Sequence, residues 1–293
     1  MYAPNLKLFP VDLPRPGYQG VFGAYVFTGQ KSAVIDPGPA ATAGRLLADL
    51  AAAGTDPKTI KYIILTHIHL DHAGAAGDFL KAAPQAMVVA HPRARPHLLA
   101  PARLWEASLR TLGDMAIAYG PLPPLPGERI LDAADGLRLD LGNSLVLETY
   151  LTPGHAPHHI SVFEPAGRVL IAGETAGVAV DSGLRVATSP PFRLNDELAS
   201  IEKLRALGAQ KICYAHFGCF ENTPDRLERM RQKVLLWRDI VLNETRAGKS
   251  PEQIMSAIRA RDRDLDYLGS LNHDDFEREK TFILRDIGGL AET

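Results

Sequence analysis

Two hydrophobic periods alternate along the first two thirds of the chain. Apolar runs of strand character, Val21 to Thr28 and Ser32 to Ile35, flank Gly29-Gln30 and predict a hairpin that closes at Asp36-Pro37-Gly38. Leu46, Leu47 and Leu50 then recur at helical spacing among alanines, and Gly54 supplies the stop. Tyr62-Ile63-Ile64-Leu65 has no polar position and reads as a buried strand. A helix after His72 that ends before Pro84, followed by an apolar strand from Met87 to Ala90, gives the strand and helix alternation of a βαβ unit. Residues 92 to 120 break this rhythm. Their Leu98, Leu104, Leu109, Leu112 and Met115 predict helices, read as an inserted helical flap ahead of the proline-rich turn Pro121 to Pro126.

Strand signals return at Leu137 to Leu141, Ser144 to Leu151, His159 to Phe163 and Val169 to Ala172, and form the second half of the sheet structure. Asn195 is placed to cap a helix carrying Leu198, Ile201, Leu204 and Leu207, which Gly208 ends before a short strand from Lys211 to Tyr214. From there the pattern is helical. Thr223-Pro224 serves as cap and first position for Leu227, Met230, Val234, Trp237 and Val241, and Ser250-Pro251-Glu252-Gln253 has the form of a capping box. The pattern divides the chain into an α/β domain over residues 1–221, with the flap at 92–120, and a helical extension over 222–293.

Composition narrows the function classes. The 293 residues, 46% hydrophobic and 23% charged with a formal charge of -2, suit an α/β chain with a full core and offer no general attraction to polyanions. Nucleic acid is not expected as a partner, and the arginines at Arg226, Arg229, Arg231 and Arg238 are balanced by acids along the same tail. No run approaches the roughly 18 apolar residues of a membrane span, and the N-terminus lacks the pattern of a signal peptide, so a cytoplasmic location is the expectation. Cys213 and Cys219 are read as two reduced thiols.

The chemistry concentrates in Thr66-His67-Ile68-His69-Leu70-Asp71-His72, where a buried strand gives way to a helix. Three imidazoles and a carboxylate this close repel one another on protonation, and a metal ion resolves the conflict by taking their nitrogen and oxygen lone pairs. His67 and His69 can face one metal, and Asp71 and His72, past the turn, a second one. A polar loop with chance histidines is the competing account, and the density of ligand types argues against it.

The run also resembles the His-x-His-x-Asp-His signature of the metallo-β-lactamase fold superfamily, matched without a gap by His67, His69, Asp71 and His72. Thr152-Pro153-Gly154-His155 looks like that superfamily's third motif, Ala172-Gly173-Glu174-Thr175 like its Gly-Asp motif, Ala215-His216-Phe217-Gly218 like its final histidine turn and Val34-Ile35-Asp36-Pro37-Gly38 like its first. Ser189-Pro190-Pro191-Phe192 and His216-Phe217-Gly218 are similar to a group of archaeal and bacterial members. The resemblance implies a four-layer αββα sandwich of two mixed β-sheets, here with the helical insertion and C-terminal helices. It also implies two divalent metal ions, with zinc expected and iron or manganese as alternatives. His67, His69 and His155 would hold the first, Asp71, His72 and His216 the second, and Glu174 would bridge where the family has aspartate. Asp36 would orient a ligand histidine through its second ring nitrogen.

The function expected on this basis is hydrolysis of a small-molecule ester, thioester, lactone or phosphoester by a metal-activated water, which Asp71 could also orient. Two other classes stay open: redox chemistry at an iron site, and a metal-binding regulatory protein with little turnover whose C-terminal helices serve as a partner or dimer surface. His97, His158 and Phe192 are candidates for the substrate pocket, and Phe217, Trp105 and Tyr119 for an apolar wall, while His159, His91 and His273 are set aside as solvated or structural.

Overall fold

The computed structural model describes residues 5–180, 183–216, 218–222 and 225–293. Strands β1 (Leu6–Pro10), β2 (Gly23–Thr28), β3 (Ser32–Ile35), β4 (Ile60–Ile64), β5 (Met87–Ala90) and β6 (Ile130–Asp132) form one sheet in that order. It is antiparallel from β1 to β3 and parallel from β3 to β6. A second sheet contains β7 (Leu137–Asp140), β8 (Val146–Leu151), β9 (Ile160–Glu164) and β10 (Val169–Gly173). After a small ribbon of β11 (Val178–Val180) and β12 (Gly183–Arg185), the chain returns to that sheet as β13 (Lys211–Tyr214) and β14 (Gly218–Glu221). Its order is β14-β13-β10-β9-β8-β7, with β13 parallel to β10 and the other pairs antiparallel.

The helices are α1 (Ala43–Ala52), α2 (Leu70–Ala73), α3 (Ala76–Ala82), α4 (Arg95–Leu99), α5 (Ala102–Leu112), α6 (Asp114–Tyr119), α7 (Leu194–Ala206), α8 (Arg226–Arg246), α9 (Pro251–Arg261) and α10 (His273–Ala291). They cover the outer faces of the two sheets. Strand alternation explains the layering: Val34 of β3 points to a core with Leu46, Leu50 and Phe79, whereas its neighbours Ala33 and Ile35 point to a core between the sheets with Leu147, Ile160 and Val162. A third core joins Leu170 and Ile212 of the second sheet to Ile201, Trp237, Ile258 and Ile283 of α7, α8, α9 and α10. The result is the expected four-layer sandwich of two mixed sheets. Among the described residues, no helix is long and apolar enough to cross a membrane.

Local departures from the sequence reading have physical causes. The helix expected after His72 is broken into α2 and α3, and His72 itself lies in α2. Asn195 does not cap α7; the helix starts at Leu194 after Arg193. The Asp225 side chain caps α8 by accepting from Glu228 N, while Thr223 and Pro224 lie outside the described residues. The Ser250 and Gln253 capping box is present. Cys213 and Cys219 are not reduced thiols but a disulfide, because the β13–β14 register sets them opposite each other.

Helix α10 lies against the segment that follows β12. Gly289 meets the backbone of Thr188 and Pro190 so closely that a Cβ would overlap the Thr188 carbonyl. The Gly289→Ala protein is expected to lose about 3 kcal/mol, the upper end of overpacking costs, seen as a lower midpoint in urea unfolding. An unchanged midpoint would show that α10 does not press on this segment.

Candidate metal centre

One edge of the sandwich collects the ends of several strands. His67 and His69 follow β4, with His69 at the start of α2; Glu174 follows β10; His216 sits in the turn between β13 and β14; and His155 comes from the loop between β8 and β9. Parallel strands deliver their carboxyl ends to the same side, which is where open α/β sheets bind ligands. At the end of β10, Gly173 takes a positive φ of 62°, and a Cβ there would collide with the His159 ring. That turn sends the Glu174 side chain inward.

The donor atoms fall into two adjoining sets, His67, His69, His155 and Glu174 in one and Asp71, His72 and His216 in the other. Within the first, His69 Nδ1 lies 2.9 Å from His67 Nε2 and 3.3 Å from His155 Nε2. Glu174 Oε2 lies 2.8 Å from His155 Nε2 and 3.2 Å from His67 Nε2, and its Oε1 lies 3.3 Å from His216 Nε2 in the other set. Asp71 Oδ2 is 3.5 Å from His72 Nε2. The grouping matches that expected from the resemblance, with the glutamate reaching both sets.

Hydrogen bonds behind the rings fix their tautomers. Asp36, buried at the end of β3, accepts from Thr66 N and from Thr66 Oγ1 at 2.8 and 2.7 Å. The Thr66 hydroxyl has thus spent its proton, so at 3.1 Å it must accept from His67 Nδ1–H, leaving the lone pair on His67 Nε2. Likewise His72 Nδ1 donates to Asp36 at 3.0 Å, His155 Nδ1 to the Ala187 carbonyl at 2.9 Å and His216 Nδ1 to the Val21 carbonyl at 3.1 Å. Four Nε2 lone pairs therefore converge on the centre.

Electrostatics agrees with a cation-binding role. Burial, reinforced by the neighbouring imidazoles of His72 and His69, holds His67 well below the usual imidazole range, and burial with His155 does the same to His69. Burial also acts against protonated His72 and His155, yet Asp71 and Asp36 push His72 up to about 10 and Glu174 pushes His155 up to about 9. The Glu174 carboxyl is held well below its usual range although burial opposes this, chiefly by His155. His72 Nε2 is buried with no hydrogen-bond partner among the described residues. Nitrogen and carboxylate donors in two sets, one ring nitrogen left without a partner, fit a pair of divalent cations, which would compete with the protons on these rings.

Several residues that hold the site are not evident from the sequence. Glu197 of α7, pushed up to about 8 by burial, accepts from His155 N at 2.9 Å. His159 is buried rather than solvated; its Nε2 accepts from Glu174 N at 3.1 Å and its Nδ1 faces the Thr152 and Thr175 hydroxyls. Both reach main-chain N–H groups of motif residues, His155 N and Glu174 N, which carry no side-chain signal.

A cavity of about 420 Å³ opens beside the donors. His97, His158 and Tyr119 line it, as do Ile68, Leu104 and Phe282. Phe192 does not; it packs into the core that joins the second sheet to α7, α8, α9 and α10. Trp105 is partly buried against the outer core of the first sheet, and Phe217 lies outside the described residues. His91 caps a short turn by accepting from Arg93 N, and His273 is exposed at the start of α10.

Known proteins resemble this chain in sequence and fold. The Metallo-beta-lactamase fold-containing protein ST1585 of Sulfurisphaera tokodaii is 28% identical over 262 residues, 87% of this chain and 93% of that protein. Its crystal structure superposes with a TM-score of 0.76 at 22% identity over 99% of this chain and 100% of that one, a likeness of fold. A hydroxyacylglutathione hydrolase of Cupriavidus taiwanensis is 31% identical over 69% of this chain and 65% of that protein. The N-acyl homoserine lactonase AttM of Azorhizobium caulinodans is 31% identical over 57% of this chain and 62% of that protein. The family model described as the Metallo-beta-lactamase superfamily matches residues 19–216, from the approach to β2 through the last histidine of the donor sets, and the chain belongs to that superfamily.

Proposed function

We propose that the chain is a dinuclear metal-dependent hydrolase acting on a carbonyl compound of ester, thioester or lactone type. The observation that carries this reading is the convergence of two donor sets on one carboxylate, Glu174, at the wall of a largely apolar cavity. Divalent cations held by His67, His69, His155 and Glu174 and by Asp71, His72 and His216 would supply Lewis acidity for the activation of water. The chain's residues do the rest. Asp36, Ala187 and Val21 hold three imidazoles in the tautomer that offers Nε2, and Asp71, partly open to the cavity, orients the attacking water and receives its proton.

The groups that adjoin the donors favour a carbonyl over a phosphoester. Ile68, Leu70, Val21 and Ala187 offer no cation to a phosphoryl oxygen, and Arg185 is engaged with Glu279 and Asp286 at 3.2 and 2.6 Å. Among relatives, one is named a hydrolase of an acylglutathione and another a lactonase.

The test loads the protein separately with zinc, manganese and iron and screens carboxylic esters, thioesters, lactones and phosphoesters. Carboxyl substrates should be hydrolysed, with activity abolished by a chelator and restored by metal. Activity that survives complete metal removal would overturn the reading. Turnover confined to iron-loaded protein and dependent on dioxygen or a reductant would replace it with redox chemistry, and metal binding without any turnover with the regulatory role.

A further inference from the structure

The cavity beside the donors has a second polar end that hydrolysis alone does not use. Arg285 of α10 is half-buried in its wall and also borders an adjoining cavity with Tyr18 and Arg15, so its guanidinium stands where the two spaces meet. Its neighbour there is the Phe282 ring, 6.0 Å from the guanidinium carbon, and no described carboxylate lies within ion-pair distance. The acids around it are committed elsewhere. Asp71 and Glu174 belong to the donor sets, Glu279 takes Arg185 and the Tyr267 hydroxyl, and Asp286 takes Arg185 and Thr188 N. Asp114, Asp274 and Glu277 line the adjoining cavity without pairing to it.

Arg285 and donors of both sets line one cavity, and Tyr119 is part of the same wall. Burial and then Asp71 raise the Tyr119 phenol well above its usual range while Arg285 opposes them, so Tyr119 senses both ends of the cavity. Leu104, Leu112 and Phe282 give the wall an apolar character. A partly desolvated guanidinium with no anion, in the same cavity as the donor sets and flanked by apolar wall, presents a planar fork of donors suited to a carboxylate.

We propose that Arg285 is a specificity-determining residue that receives a carboxylate on the substrate, held apart from the scissile carbonyl by an apolar segment. The proposal rests on the carbonyl-hydrolase reading, and its substrate class is the monoester of a dicarboxylic acid or an acyl compound of the same form. A charge-assisted pair of this kind favours the anionic substrate by about 10- to 100-fold.

The experiment compares succinate, adipate and suberate monoaryl esters with the corresponding diesters capped as neutral methyl esters, using wild type, Arg285→Met and Arg285→Lys. The expected result is a kcat/KM ratio of anionic to neutral substrate well above one in wild type for at least one chain length. That ratio should fall about 10- to 100-fold in Arg285→Met, mainly through KM, and recover in part in Arg285→Lys. A wild-type ratio near one, or a ratio that Arg285→Met leaves intact, overturns the anion site while leaving hydrolysis in place. If no ester is turned over, hydrolysis fails on its own, and equilibrium binding of adipate monomethyl ester against dimethyl adipate still decides the site. Preferential binding of the acid that Arg285→Met removes supports it, and equal binding of the two by wild type overturns it.

Discussion

Replacing His69 with alanine is expected to lower kcat/KM for metal-dependent ester hydrolysis by about a thousandfold, the equivalent of the several kcal/mol that a Lewis-acid centre supplies. His69 Nδ1 is the shared corner of its set, 2.9 Å from His67 Nε2 and 3.3 Å from His155 Nε2, so its loss opens one coordination position and leaves two imidazoles and Glu174. It is also the appropriate position to test. His67 and His155 are buried beneath it, and removing either would disturb packing as well as donation. His69 is only partly buried at the cavity wall, so thermal unfolding of the metal-stripped variant should match that of metal-stripped wild type. Metal content measured on the same samples should fall. Undiminished hydrolysis with undiminished metal would show that the reaction does not use this centre.

The sequence made the first donors legible and hid what holds them. Histidines and an aspartate packed from His67 to His72 advertise a cation because no core or surface needs such a run. His155, Glu174 and His216 are single residues in short turns, and the pattern of residues around them, not periodicity, identified them. The supporting groups were invisible for a different reason. Ala187 and Val21 act through backbone carbonyls, which have no sequence signature, and Glu197 reaches His155 from an amphipathic helix in which it reads as one more solvated acid. Chain reversal also decides what local pattern cannot. The disulfide follows from β13–β14 register, whereas compartment arguments pointed to free thiols. Asn195 has the chemistry of a cap but lies two residues past the cap position, Arg193, because the helix already begins at Leu194.

The C-terminal helices illustrate the same limit. Their periodic apolar faces were legible, and they are buried against the second sheet as that periodicity requires. Their polar reach was not. Asp286 of α10 accepts from Thr188 N at 2.7 Å, and its own carbonyl accepts from the Thr188 hydroxyl at 3.0 Å. Thr188 directly follows Ala187, whose carbonyl orients His155. A helix almost at the end of the sequence thus braces a donor set assembled from much earlier strands, a contact between segments that only the tertiary fold brings together.

Glu174 carries the second large prediction. Glu174→Ala should lower metal content and reduce kcat by about a hundredfold, because one carboxylate spans both sets: Oε2 is 2.8 Å from His155 Nε2 and Oε1 is 3.3 Å from His216 Nε2. The fold around it should survive, since its backbone N–H, not its side chain, bonds to His159 Nε2. Equal metal content in wild type and Glu174→Ala would show that the carboxylate does not hold the cations. Glu174→Asp tests the departure from the family's usual aspartate. Removing one methylene withdraws the carboxylate by about 1.5 Å, more than the slack in any of these contacts, so the side chain can no longer reach both sets. Its activity is expected between those of wild type and Glu174→Ala. Wild-type activity in Glu174→Asp would instead mean that the turn at Gly173 yields enough for the shorter acid to bridge, and the extra methylene would then have no part in spacing the two cations.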